Sequence, residues 1–276
     1  MRHFLTLSDI TLPIANEIFS IADAIEDYAS VLNNKTVVLF FPDSSIRTRL
    51  TFEKGILTLG GQVILFPSDA LDKKEEIRDV IGYLNNWADC LVVRYNRFDR
   101  IQDLAKHSAV PVINAMTGET HPCEILTDLY ALSKRTADYL SLQYTFVGKR
   151  GNIGSTWFEA SQALGFRFRQ CCPKGKNYEI PGAQVVYELD AAMLGSDVVL
   201  TDSLPAEALA DFKPYQITTS AMRKANSKAI LNPCPPFYRG EEVSAEVLDS
   251  PFFVGYPFKS SLLAVQQALI VYLLRN

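Results

Sequence analysis

The sequence predicts an α/β protein of two lobes, each a mainly parallel sheet flanked by helices, with the functional residues in the cleft between them. Three observations support this. Apolar runs of strand length alternate with helical patterns along the chain, as βαβ units require. The series stops after one long helical stretch and then starts again, which suggests two lobes rather than one sheet. The 276 residues, 48% of them apolar, suffice for two cores.

Ile14, Ile18, Ile21 and Ile25 recur at helical spacing behind Thr11, a capping residue, and Pro13, which suits a first turn. Residues 37–41 form a continuous apolar run, the mark of a strand buried on both faces. A helix from about Arg47 ends at Gly60-Gly61, and 62–66 reads as the next strand. Helix 75–87, strand 91–95, helix 99–107 and strand 110–114 follow, then a longer helix over 121–134. The second series has strand 144–147, helix 155–164 and strands 166–171, 197–201 and 229–232. A last helix covers 259–274, with Leu262, Val265 and Leu269 on one stripe. These elements place one domain at 1–133 and another at 134–258, with the C-terminal helix 259–276 packing back on the first.

The net charge of −4 argues against a general nucleic-acid binder. No apolar run approaches the roughly 18 residues that span a bilayer. The N-terminal stretch lacks the apolar core of a signal peptide, so a cytoplasmic location is the expectation. The five cysteines are odd in number and include no C-x-x-C pair, and there are three histidines. Neither a disulfide framework nor a metal centre is indicated, and the cysteines read as small buried hydrophobes.

The most informative segment follows the first strand. After Pro42-Asp43-Ser44 the chain continues Ser45-Ile46-Arg47-Thr48-Arg49, which starts a helix. Hydroxyls, guanidiniums, free backbone N–H groups and the positive end of the helix dipole coincide there, which suits an anion such as phosphate. The plainer reading is a capped helix with arginines paired to surface acids. Ligands of open α/β sheets bind beyond the carboxyl ends of the strands. Collecting residues by that rule adds Arg94, then Thr117, Glu119, His121 and Glu124 from the first lobe. The second lobe supplies Lys149, Arg150, Asn152, Asp202, Asn232 and Cys234. Arg94 and His121 suit donors aimed at a carbonyl oxygen that becomes negative during acyl transfer; a strand-end ion pair and a cap before Pro122 are their plainer uses. The turn Gly148–Gly154 offers a dinucleotide-binding alternative, but its spacing is G-x-x-G-x-x-G and the ribose-binding acid about 20 residues on is missing.

Taken together, these motifs resemble the aspartate/ornithine carbamoyltransferases along nearly the whole chain. Ser45-Ile46-Arg47-Thr48-Arg49 is similar to S-T-R-T-R, Arg94 to the arginine ending a later strand, and His121-Pro122-Cys123-Glu124 to H-P-x-Q. Pro214-Tyr215-Gln216-Ile217 and Asn232-Pro233-Cys234-Pro235-Pro236 resemble the ornithine branch's P-Y-Q-V and H-C-L-P. The resemblance implies transfer of a carbamoyl group from carbamoyl phosphate to an amine of ornithine or a related diamino acid, with no metal or organic cofactor. It implies carbamoyl phosphate binding by Ser45, Ile46 (through its backbone), Arg47, Thr48, Arg94, His121 and Glu124. Amino-acid binding falls to Asn152, Asp202, Ser203 and Cys234, and catalysis to Arg47, Thr48, Arg94, His121 and Cys234. Arg49 braces the fold. A homotrimer is implied, with Lys73 or Lys74 reaching a neighbour's site; the sequence leaves open which. Partners are small molecules, with neither nucleic acid nor membrane. The chain departs from the pattern at Ile46, at Glu124, at the S-M-G loop missing after Asp202, and at Phe258-Lys259, where an arginine is the rule. A catalytically silent paralogue with a binding or regulatory role is the alternative these departures raise.

Overall fold

A computed structural model describes residues 2–177 and 182–275. The chain forms two compact units, Met1–Ala131 with Ser260–Asn276, and Leu132–Lys259.

The first unit is built on four parallel strands, β1 (Thr36–Phe41), β2 (Gln62–Pro67), β3 (Cys90–Arg94) and β4 (Val112–Met116), in the order β2-β1-β3-β4. Its helices are α1 (Leu12–Asp23), α2 (Arg47–Thr58), α3 (Ile77–Leu84), α4 (Phe98–His107) and α5 (Pro122–Arg135), the last running past residue 131. Residues 37–41 of β1 are buried, as their unbroken apolarity predicts. Thr11 caps α1 by accepting from Ile14 N (3.5 Å), with Pro13 in the first turn. Gly60 ends α2 with φ +86°, a value that favours glycine. The outer edge of β4 is covered by the N-terminal segment. Phe4 N donates to Val112 O (2.8 Å) and Asn114 N to Phe4 O (2.8 Å). At the opposite edge β2 pairs with no further strand among the described residues.

The connection from β1 leads to β2 on one side, and that from β3 leads to β4 on the other. The loops after these two neighbouring strands therefore part, leaving a crevice at the carboxyl edge of the sheet.

The C-terminal helix, Leu262–Arg275, packs on α1 and α2. Gln267 Nε2 donates to Gly55 O (3.0 Å) and Thr58 Oγ1 (2.7 Å), fastening it to α2. Gly255–Arg275 is long and apolar enough to cross a membrane by length and composition, which corrects the expectation that no run approaches that length. Of its most apolar window, 61% is buried inside the protein, as in a core helix.

The second unit has five parallel strands: β5 (Gln143–Val147), β6 (Arg167–Cys171), β7 (Gln184–Val186), β8 (Val198–Thr201) and β9 (Ile230–Pro233). Their order is β7-β6-β5-β8-β9, so the crevice falls between β5 and β8. One face packs on α6 (Asn152–Leu164), where the rings of Tyr144, Trp157 and Phe166 meet in tilted and edge-to-face contacts. Another cluster gathers Val147, Met193, Val199, Met222, Leu231 and Val243.

Several elements differ from the sequence reading, among them the short helices Leu189–Met193, Thr219–Met222, Ala245–Leu248 and Gly255–Phe258, which it lacks. β7 is missing from it, because three residues beginning with an exposed Gln184 carry no strand pattern. α6 begins at Asn152 rather than at 155, because Gly151 and Gly154 make that stretch look like a longer turn. α3 ends at Leu84 rather than at 87, leaving Trp87 68% exposed beyond it.

Candidate active site

At the end of β1 the chain turns, Ser45 N donating to Pro42 O (3.0 Å), and enters α2. The first bond of the helix runs from Leu50 N to Ile46 O (3.1 Å), so the amides just before Leu50 have no partner within the helix. No side chain caps this end. The hydroxyls face β3 instead: Arg94 Nη1 donates to Ser45 Oγ (3.1 Å) and to Thr48 Oγ1 (3.4 Å). Ser45 and Thr48 are buried and Arg94 half-buried, whereas Arg47 is exposed and the Ile46 side chain is 73% exposed. Arg49 makes an ion pair with Glu53 (2.6 Å) one turn along α2, a bracing contact within the helix.

This arrangement follows from the strand order. β3 lies beside β1, so the last residue of β3 reaches the first turn of the helix that follows β1. Three polar atoms thus meet at the point where the loops part.

β4 delivers the rest of this edge. The irregular register at Val93/Arg94 sets Arg94 opposite Met116. Beyond it a tight turn forms. Thr117 Oγ1 accepts from Glu119 N (3.1 Å) and Thr120 N (3.0 Å), and Gly118 N donates to Asn96 O (2.8 Å). His121 and Glu124 follow at the start of α5, each 6% exposed. Burial pushes the Cys123 thiol up, and the neighbouring Glu124 charge adds to this. A cavity of about 240 Å³ opens here, lined by Ser68, Arg94, Asn96, Met116 and Thr117 among others. The sequence reading missed Ser68 and Asn96. Both follow the carboxyl ends of strands, so the rule that found Arg94 reaches them too. Lys73 and Lys74 are exposed, between a short turn at Ser68–Asp72 and α3.

In the second unit, Gly148 N donates to Cys171 O (3.1 Å) and Gln170 Nε2 to Gly148 O (2.9 Å), which fixes the turn before Asn152. Asn152 is the first residue of α6. Thr201 Oγ1 donates to Val147 O (2.7 Å), tying β8 to β5 where the loops part. Asp202 follows, its Oδ1 accepting from Ser203 N (2.9 Å). Cys234 N donates to Thr201 O (2.8 Å), which sets the buried Cys234 beside the end of β8. Asn152, Asp202, Ser203 and Cys234 therefore share one sheet edge. None of the five cysteines is in a disulfide, and all are buried. After Pro205 the chain forms a short turn, Ala206–Ala208, and a helix, Leu209–Phe212. Leu204, Ala208 and Phe212 pack with Cys172, and Glu207 pairs with Lys149 (3.8 Å) across from the loop after β5.

Two hydroxyls and a guanidinium gathered at a helix start on one parallel unit, and an amide, a carboxylate and a thiol gathered on another, define a two-unit α/β chain with polar side chains clustered at the carboxyl edge of each sheet. The family model "Aspartate/ornithine carbamoyltransferase, carbamoyl-P binding domain" matches residues 2–134, and the one for the "Asp/Orn binding domain" matches residues 141–273. The chain belongs to the aspartate/ornithine carbamoyltransferase family. It is 32% identical to the ornithine carbamoyltransferase of Chromobacterium violaceum, with 99% of this chain and 97% of that protein covered. Against the ornithine carbamoyltransferase of Methylococcus capsulatus the identity is 33%, covering 99% and 98%. The crystal structure of ornithine carbamoyltransferase from Burkholderia thailandensis E264 superposes with a TM-score of 0.92 at 30% identity, covering 99% of each chain. The first of these alignments spans 298 positions against the 276 residues here, so that relative carries residues with no counterpart in this chain.

Proposed function

We propose that this chain transfers the carbamoyl group of carbamoyl phosphate to the side-chain amine of ornithine or a related diamino acid, releasing phosphate. The observation that carries this is the clamp of Arg94 on Ser45 and Thr48 at the start of α2, in a chain whose two halves match the two models of the family. Ser45, Arg47, Thr48 and the Ile46 backbone N–H hold the phosphate, where dipole and guanidinium act together. Arg94, His121 and Thr48 donate to the carbonyl oxygen as it becomes negative. Asn152, Asp202, Ser203 and Cys234 hold the amino-acid substrate. The transfer balances without a cofactor.

The chain works as a homotrimer in the cytoplasm, with Lys73 or Lys74 reaching a neighbouring copy. The supporting observation is an exposed apolar stripe. Ile46, Leu50 and Leu57 are 73%, 61% and 61% exposed on one face of α2, and β2, at the edge of the sheet, adds exposed Ile64 and Phe66.

The test is colorimetric detection of ureido product from carbamoyl phosphate with ornithine, shorter diamino acids, aspartate and putrescine. Product with ornithine or another diamino acid is expected. No product with any of them contradicts the proposal.

A further inference from the structure

The exposed lysines Lys73 and Lys74 sit on a span with two fixed ends. Leu71 before it and Ile77 after it are buried in one hydrophobic cluster, whereas residues 72–76 are exposed. The near end is tied down a second time, from the loop after β3. Tyr95, the residue after Arg94, donates its hydroxyl to Asp72 Oδ1, and Arg100 Nη2 of α4 donates to Leu71 O (2.9 Å). The Tyr95 ring packs against the same cluster. Hydrogen bonding to the Asp72 carboxylate pushes the Tyr95 hydroxyl above its ordinary range, so it remains a donor at neutral pH. These contacts join the loop after β3 to the turn after β2, across the end of β1 that lies between them. Ser68, Arg94 and Tyr95 line the cavity of about 240 Å³, whereas Asp72 stands outside its lining.

We propose that Tyr95 is a positioning residue of the transfer, holding the turn Ser68–Asp72 at the anion cavity through Asp72; the role rests on the carbamoyl-transfer reading above. On the β3 side the tie starts from the chain neighbour of Arg94, so the guanidinium and the turn share one base. On the β2 side it keeps Ser68 at the cavity and gives Lys73 and Lys74 a fixed point of departure. A turn already held in place costs the ligand no ordering of its own, which favours binding. The hydroxyl alone makes this tie, and a phenylalanine at position 95 would keep the ring against the cluster. Loss of the hydroxyl therefore falls on the binding of carbamoyl phosphate rather than on turnover or the stability of the fold.

The experiment measures initial rates with carbamoyl phosphate and ornithine for the full chain and its variants, beside amide hydrogen exchange of residues 68–76. Tyr95→Phe is expected to raise KM for carbamoyl phosphate about 3–10-fold, as the loss of one hydrogen bond does, with kcat within about twofold of the parent and an unchanged melting temperature. Asp72→Ala raises KM alike, and the double variant goes no further, because both changes remove the same bond. Asp72→Asn stays near the parent, its amide oxygen accepting in place of the carboxylate. Exchange at 68–76 quickens in Tyr95→Phe and in Asp72→Ala. An unchanged KM in both of these variants overturns the proposal. So does a KM raised by Tyr95→Phe but not by Asp72→Ala, since the hydroxyl would then act on the ligand itself. Should Tyr95→Phe not fold, an unchanged KM in Asp72→Ala overturns the proposal equally. A parent chain that yields no ureido product removes the transfer reading and this role together, whereas an active parent matched by both variants removes this role alone.

Discussion

Arg94 has two tasks that one lysine cannot share. Its guanidinium reaches the hydroxyls of Ser45 and Thr48 together in a planar fork, and in the proposed reaction it also faces the carbamoyl oxygen. Lysine brings an equal charge but no fork. Arg94→Lys is therefore expected to lower kcat by about 10²–10³-fold, as losing an oxyanion donor does elsewhere. Its thermal melt should stay near that of the parent, since Arg94 sits half-buried at a strand end rather than in the core. Steady-state rates beside a melting curve check both parts. The charged side chains of this site were legible because each follows an apolar run that ends abruptly. The burial of Ser45 and Thr48 was not legible, because it depends on which strand lies beside β1.

Among the elements, the C-terminal helix is held to α2 by one close approach. A Cβ on Gly55 would stand 2.8 Å from Gln267 Cγ and 3.4 Å from Leu263 Cδ1. Two effects compete in Gly55→Ala. Helix propensity favours alanine by about 1 kcal/mol, while overpacking costs about 1–3 kcal/mol. Gln267 is fixed by two hydrogen bonds and has little room to move, so the steric cost should win. A lower urea midpoint with an unchanged slope is expected; a higher midpoint would show that the helix is not pinned there. Elements of this kind were legible in proportion to their length and apolarity. Strands β1, β3, β5 and β8 are buried runs, and the sequence reading placed each within a residue or two. β7 is three residues long and half-buried, too short to show alternation against its surroundings. The start of α6 was hidden because glycines at a helix entry look like a turn that continues.

At the scale of the molecule, topology decides which residues meet. Reading along the chain suggests no strand order, yet β1 is followed in space by β3, and β5 by β8. The ends of those strands carry Ser45 and Arg94 in the first unit, and Asn152 and Asp202 in the second. The candidate residues could still be collected without that order, because the carboxyl-end rule applies to every parallel strand. What the rule could not show is their pairing across a parting of the loops, on which the proposed anion cradle of the first unit rests. The most direct test of that claim is a crystal structure with N-phosphonoacetyl-ornithine bound. The account predicts the phosphonate within hydrogen-bonding distance of Ser45, Thr48 and Arg47, with the acetyl oxygen against Arg94 and His121. A phosphonate seated away from the start of α2 would contradict it.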